Sequence, residues 1–291
     1  MSGHASASSA IPGSVAPLIT FLGTTPNIGT TSAAFAAACR IAEESGRSVG
    51  FLCLNLKSAK AHRFLGVDKP AATLDALRPE LLTGSLLPDK LLRSMHRCRS
   101  ATDLHVLFGN MMRDQAEFFT MEEMEHLLAV AEQTFSVVIA DVGAYWDNAA
   151  TLCALRKANK RIIATTSALS HFQEDGQRWV KQLSSLFGID ARDYEAVIIQ
   201  QPWGKGGFHV KDICKELGVS FLGEIALSEQ LLSQLDRGTL DEWLLNDERG
   251  RAVMKEPAKK LVEHCGLKRQ ARMTAQPWYR KLLAHRGGVS S

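Results

Sequence analysis

The sequence predicts an α/β fold, doubly wound around a mostly parallel sheet of about seven strands. Three observations predict it. Apolar runs recur along the chain without the polar alternation of a half-exposed strand, and such runs belong in a sheet covered on both faces. Helix-length amphipathic segments separate most of them, as in parallel strands joined by crossovers. The first run leads through a short glycine-bearing turn into an alanine-rich segment, giving the order strand, loop, helix.

The first strand is PLITFLG at 17–23, followed by a helix over 30–46 whose alanines favour helix and let it pack closely on a sheet. VGFLCLNL at 49–56 is the second strand, and 57–85 has no sustained period and reads as irregular with short turns. A helix over 86–97 precedes the strand LHVLFG at 104–109, and a helix over 120–134 precedes SVVIADVG at 136–143. Helices over 146–158 and 171–187 flank RIIATT at 161–166. EAVIIQQ at 195–201, a helix over 208–217, VSFLGEI at 219–225 and a helix over 250–264 complete the set, with no internal repeat. The expected organisation is one α/β domain at 17–265, a flexible leader at 1–16 and a basic tail at 266–291. The leader is small and polar, without the basic start and apolar stretch of a secretion signal.

Composition removes several classes of function. No segment approaches the ~18 consecutive apolar residues that span a bilayer, so an integral membrane helix is not expected. The six cysteines are widely spaced with no CxxC pair and the nine histidines form no ligand cluster, which argues against a structural zinc site and suits a reducing cytoplasm. Net charge is +3, yet Lys268, Arg269, Arg272, Arg280, Lys281 and Arg286 contribute six positive charges beyond Gly266 with no acidic residue, leaving the rest at −3. A slightly acidic body does not suit wrapping of nucleic acid over a broad face, so nucleic acid is an unlikely partner.

In a doubly wound sheet, ligands sit beyond the carboxyl ends of the strands. The stretch GTTPNIGTTS at 23–32 is such a loop. Gly23 ends the strand, Gly29 permits a tight turn, and Thr30, Thr31 and Ser32 open a helix whose free N–H groups attract anions. The loop has no lysine. It admits two readings, a turn that binds nothing and a weak nucleotide or anion site.

In its ordered motifs, from about Leu18 to Gly238, the chain resembles the ParA/MinD family of deviant P-loop ATPases, a SIMIBI-like P-loop NTPase group, and especially the CpaE/TadZ proteins of Flp pilus assembly. The family's KGGxGK[ST]T aligns with Thr25, Pro26, Asn27, Ile28, Gly29, Thr30, Thr31 and Ser32, so both lysines are threonine, two glycines are lost, and Pro26 removes a backbone donor. The acidic motif DxDLRxPxxHRxxG matches the frame of CLNLKSAKAHRFLG at 53–66, with Cys53 and Asn55 where carboxylates would stand. VVIADVGAY keeps Asp141 and Ala144 of the third motif, and Gln200 is the nearest counterpart of an adenine-reading asparagine. VSFLGEIALSEQLLSQLDRG resembles the closing strand and helix.

The resemblance implies a cofactor, ATP with Mg, held weakly if at all by Gly23, Thr24, Asn27, Gly29, Thr30, Thr31, Ser32, Asp141 and Gln200, with Thr31 and Asp141 as metal ligands. Asp141 could instead cap a helix. Lys57, Lys60 and Lys205 are the candidates to replace the missing charge, or are solvated lysines; Trp203 and GKGG at 204–207 are a rim over the crevice or a surface loop. Lacking a loop cation, the chain is expected to hydrolyse ATP slowly or not at all and to act as a localisation or assembly factor for a Flp/Tad-type pilus or secretion machinery. Two alternatives stand beside this: an active ATPase whose cation comes from another loop or subunit, and a ParA-like DNA-associated partition protein. The resemblance also implies a homodimer, and the cysteine pattern a cytoplasmic location, peripheral at the inner face of the membrane if the tail docks there. In the tail, Pro277 suits a first helical position and Trp278, Tyr279, Leu282 and Leu283 fall on one stripe flanked by Arg280, Lys281 and Arg286. That is the outline of a small helix for an anionic membrane surface or a partner, or of one packed on its own domain.

Overall fold

A computed structural model describes residues 15–98, 103–202 and 207–267 of the chain. Eight strands form one sheet in the order β3-β4-β2-β5-β1-β6-β7-β8. They are β1 (Leu18–Gly23), β2 (Val49–Leu54), β3 (His96–Arg97), β4 (Leu104–Leu107), β5 (Val137–Val142), β6 (Lys160–Thr165), β7 (Tyr194–Gln200) and β8 (Ser220–Ala226). The seven expected strands are all present and parallel to one another, and β3 adds a short antiparallel edge beside β4. The doubly wound α/β class is therefore correct.

Helices cover both faces: α1 (Thr30–Ser45), α2 (Ala61–Phe64), α3 (Arg78–Leu82), α4 (Pro88–Ser94), α5 (Met121–Thr134), α6 (Ala149–Lys157), α7 (Val210–Leu217), α8 (Glu229–Arg237), α9 (Leu240–Asn246), α10 (Glu248–Ala252) and α11 (Lys255–His264). Strand alternation sorts the core into two layers. Leu18 and Leu22 of β1 join Leu127 and Leu128 of α5 and Ala154 of α6 on one face. Ile19 and Phe21 join the alanines of α1 and Ala258, Leu261 and Val262 of α11 on the other. Small side chains let α1 lie close between the sheet and α11, which buries most of its length.

Local signals fix several boundaries. Thr120 and Glu123 form a reciprocal capping box at the start of α5. Asn148 caps α6 by accepting from Thr151 N.

Four expectations need correction. The helix expected over 86–97 stops at Ser94, because Met95 turns extended and His96–Arg97 pair with β4. The segment 57–85 holds α2, a 3-10 turn at Asp75–Leu77 and α3, all too short to show a period. The helix expected over 250–264 is broken by Met254, whose φ of 57° is left-handed, into α10 and α11, and α9 precedes both. The helix expected over 171–187 is wound with wider π-type turns over Ser170–Gly176 and Arg178–Leu183, ending in a 3-10 turn. The leader up to residue 14 and the tail from residue 268, including Trp278, Tyr279, Arg280, Lys281, Leu282 and Leu283, lie outside the described residues.

Candidate functional site

β1 sits at the centre of the sheet, between β5 and β6, and the chain winds outward on both sides of it. The loops that follow β1, β2 and β5 consequently converge at one end of the sheet. Their sequences determine what they can hold.

The loop after β1 is braced from behind. Thr24 N donates to Ala164 O at 2.9 Å, its hydroxyl donates to Thr165 Oγ1 at 3.1 Å, and its carbonyl accepts from Trp179 Nε1 at 3.2 Å. Thr25 Oγ1 donates to Asp175 Oδ2 at 2.7 Å. The wide turns of 170–183 bring Asp175 and Trp179 to these contacts, which nothing in the local sequence signals. Asn27 has a φ of 61° and Gly29 a φ of 107°, so the chain doubles back just before α1. Gly29 is also tightly packed: an added Cβ would lie 3.0 Å from the Leu227 methyls. At Gly23 an added Cβ would meet Thr30 Oγ1 at 2.6 Å. No side chain caps the start of α1 and its first turn has no acidic residue, so its N–H groups are free to attract an anion.

These groups open on a cavity of about 200 Å³. Its floor is the loop after β1 with the first turn of α1, and its sides are Asn55, Ser58 and Lys60 from the loop after β2 and Val142, Gly143, Ala144 and Tyr145 at and beyond the end of β5. Phe64, Leu227, Leu232 and Leu235 make an apolar roof that the sequence did not reveal. Of the expected site residues, Asn27, Gly29, Thr30, Thr31 and Ser32 line the cavity, whereas Gly23, Thr24 and Asp141 are not on its wall. Gln200 is not brought to it: its side chain is exposed and donates to Glu224 Oε2 at 2.7 Å on the neighbouring strand.

Asp141 is the unusual group. It is fully buried at the end of β5 and neither carboxylate oxygen completes a hydrogen bond. Burial raises its pKa to about 7, and the nearby Thr31 hydroxyl offsets this only in part. Cys53 is its Cα partner across the β2–β5 ladder, and burial followed by the charge of Asp141 pushes that thiol up to about 12. Cys53 is therefore a neutral neighbour where a carboxylate would have added a second charge. Asn55 Oδ1 accepts from Ser58 N at 3.1 Å and orders the loop after β2.

The three candidate lysines separate cleanly. Lys57 is committed elsewhere: Nζ lies 2.6 Å from Asp147 Oδ2 and 5.3 Å from the centre of the Tyr145 ring. Lys60 lines the cavity, and its Nζ donates to Asn27 Oδ1 at 3.3 Å. Lys205 and Trp203 lie outside the described residues. Among the described residues no three His, Cys, Asp or Glu side chains converge on one point.

No family model and no curated protein matches the sequence. Solved structures do. A ParA family ATPase from Chlorobium tepidum TLS superposes with a TM-score of 0.70 at 16% identity, covering 84% of this chain and 98% of that one. MinD of Pyrococcus horikoshii OT3, complexed with Mg-ADP, gives 0.69 at 14% identity over 89% and 100%. A chain of the MinC:MinD cell division complex of Aquifex aeolicus gives 0.68 at 15% identity over 85% and 96%. At such identities the likeness speaks for architecture, and the chain has the doubly wound P-loop fold of the ParA and MinD ATPases.

Proposed function

We propose that the chain is a ParA/MinD-like protein that works by binding rather than by turnover, as a localisation or assembly factor of a Flp/Tad-type pilus or secretion machinery. The observation that carries this reading is a phosphate-binding position without a loop lysine, beside a buried carboxylate left without a partner. The frame at 53–66, 136–144 and 219–238 supports the finer placement beside the CpaE/TadZ proteins.

The nucleotide and Mg implied by the fold fit these residues in part. The open N–H groups of α1 suit a phosphate, and Thr31 with the orphaned Asp141 suits the cation that accompanies it. A cavity of about 200 Å³ under a leucine roof is below the ~300–1,000 Å³ of common ligand sites, so it takes the phosphate end and leaves base and sugar poorly enclosed. When bound, the metal would neutralise Asp141 and the phosphate together. The chain's own residues then position the phosphate but add no loop cation to stabilise charge as it develops during transfer. Binding is weak and hydrolysis slow or absent. Gln200, tied to Glu224, would have to release that contact to read a base.

A homodimer across this face is part of the proposal. Phe118 and Trp146 are both more than half exposed and lie next to Glu117 and Asp147, which Lys57 links, so apolar surface flanks the cavity. The tail adds a peripheral contact with an anionic membrane or a partner. No helix among the described residues is long and apolar enough to cross a membrane.

Purified protein should hydrolyse ATP no faster than its Asp141→Asn variant. Robust turnover that disappears in the variant would show a working ATPase. Deleting the gene in its host should remove pili or secretion while leaving chromosome and plasmid inheritance intact, and plasmid loss would transfer the protein to partition.

A further inference from the structure

We propose that Lys60, at the start of α2, is the cation that anchors the phosphate end of a ligand in the cavity, in place of the loop lysines. The inference rests on the reading of this cavity as a phosphate site. It names the residue that keeps such a site competent to bind.

The residues around the cavity leave no other choice among those described. Lys57 is held by Asp147 at 2.6 Å and covers the Tyr145 ring. Arg63 is held by Asp68 at 2.5 Å. Lys60 makes no ion pair among the described residues, lines the cavity, and donates a hydrogen bond to the amide oxygen of Asn27 at 3.3 Å. That contact is long for a charge-assisted bond, and a phosphate oxygen would make a stronger partner. Asn27 stands in the loop at φ 61°, so Lys60 already reaches over the turn that leads into α1. The N–H groups of α1 and the ammonium group therefore approach the same space from two sides.

The need for a cation is set by Asp141. Its carboxylate is fully buried behind Thr31 without a hydrogen-bond partner. A phosphate beside Thr31 would stand near a carboxyl group that has no cation paired with it. Some positive charge must offset that, and Lys60 is the protein group placed to supply it alongside a metal. An exposed lysine on a separate loop holds a phosphate less rigidly than one built into the turn. That agrees with the proposed binding without efficient turnover.

The test is calorimetric titration of full-length protein with Mg-ADP and with Mg-pyrophosphate. Lys60→Ala should weaken both by the same factor, about 10- to 100-fold, since a charge-assisted contact is lost and each tenfold is ~1.4 kcal/mol. Lys60→Arg should restore most of the affinity, and the unliganded melting temperature of both variants should match the wild type because the side chain is exposed. Wild-type binding that Lys60→Ala leaves unchanged overturns the role of Lys60 and leaves the phosphate site standing. Wild-type protein that takes up neither ligand at millimolar concentration overturns the phosphate site itself, and the inference with it.

Discussion

At the scale of single residues, Asp141 makes the stability of the fold depend on pH. Its pKa is raised from 3.8 to about 7 by burial, so between those values the folded protein keeps a proton that the unfolded chain has released. Stability contributed by this group is complete below about pH 4, falls as pH rises toward 7, and is flat beyond. At ~1.4 kcal/mol per pH unit, some three units correspond to roughly 4 kcal/mol. Asp141→Asn should therefore be more stable than wild type at pH 8 with metal chelated, by roughly 3–5 kcal/mol, and the gap should close toward pH 4. Denaturant unfolding across that range measures it, and a constant gap would mean that Asp141 already has a partner. Asp141 was legible in the sequence because a carboxylate ending a continuous apolar strand is a local pattern. The division between Lys57 and Lys60 was not. They stand three positions apart in one loop, and what separates them is Asp147, some 90 residues away in sequence. Gln200 failed as a cavity residue for the same reason, since its partner is on the adjacent strand.

At the scale of elements, the roof over the cavity depends on how α2 meets α8. The turns that end these helices touch through two left-handed glycines, Gly66 at φ 65° and Gly238 at φ 69°. A Cβ on Gly238 would lie 2.6 Å from Gly66 Cα and 2.8 Å from Arg63 O, both backbone atoms that cannot swing aside. This apposition holds Phe64 of α2 near Leu232 and Leu235 of α8. Gly238→Ala should cost roughly 2–4 kcal/mol, from the positive φ and the clash together. Gly84→Ala is the control: it has a φ of 62° and open space around it, so it should cost only the ~1 kcal/mol of backbone conformation. Equal losses at the two sites would show that the helices do not press on each other there. Elements themselves were legible where burial on both faces makes a strand uniformly apolar, as in β1, β2 and β5. Two-residue β3 leaves no pattern to read, and the break between α10 and α11 lies at Met254, a residue whose identity gives no warning of a left-handed turn.

At the scale of the whole molecule, charge is unevenly distributed along the sequence. The described structure ends at residue 267, and the six cations that follow in sequence contrast with a slightly acidic remainder of the chain. Trp278, Tyr279, Leu282 and Leu283 recur at helical spacing among three of those cations. Burying a large apolar side chain contributes roughly 1.5–3 kcal/mol, and each cation near an anionic bilayer about 1 kcal/mol. For so short a segment, either contribution alone is offset by the cost of ordering and immobilising it. Their sum would give weak binding, which two tails in a dimer would raise through effective concentration. Full-length protein should therefore co-sediment with vesicles containing anionic lipid, less so as salt is raised, and less at protein concentrations below dimer formation. Trp278→Glu, or truncation before Pro277, should abolish the association. Equal sedimentation of full-length and truncated protein would place the tail on its own domain or on a protein partner instead.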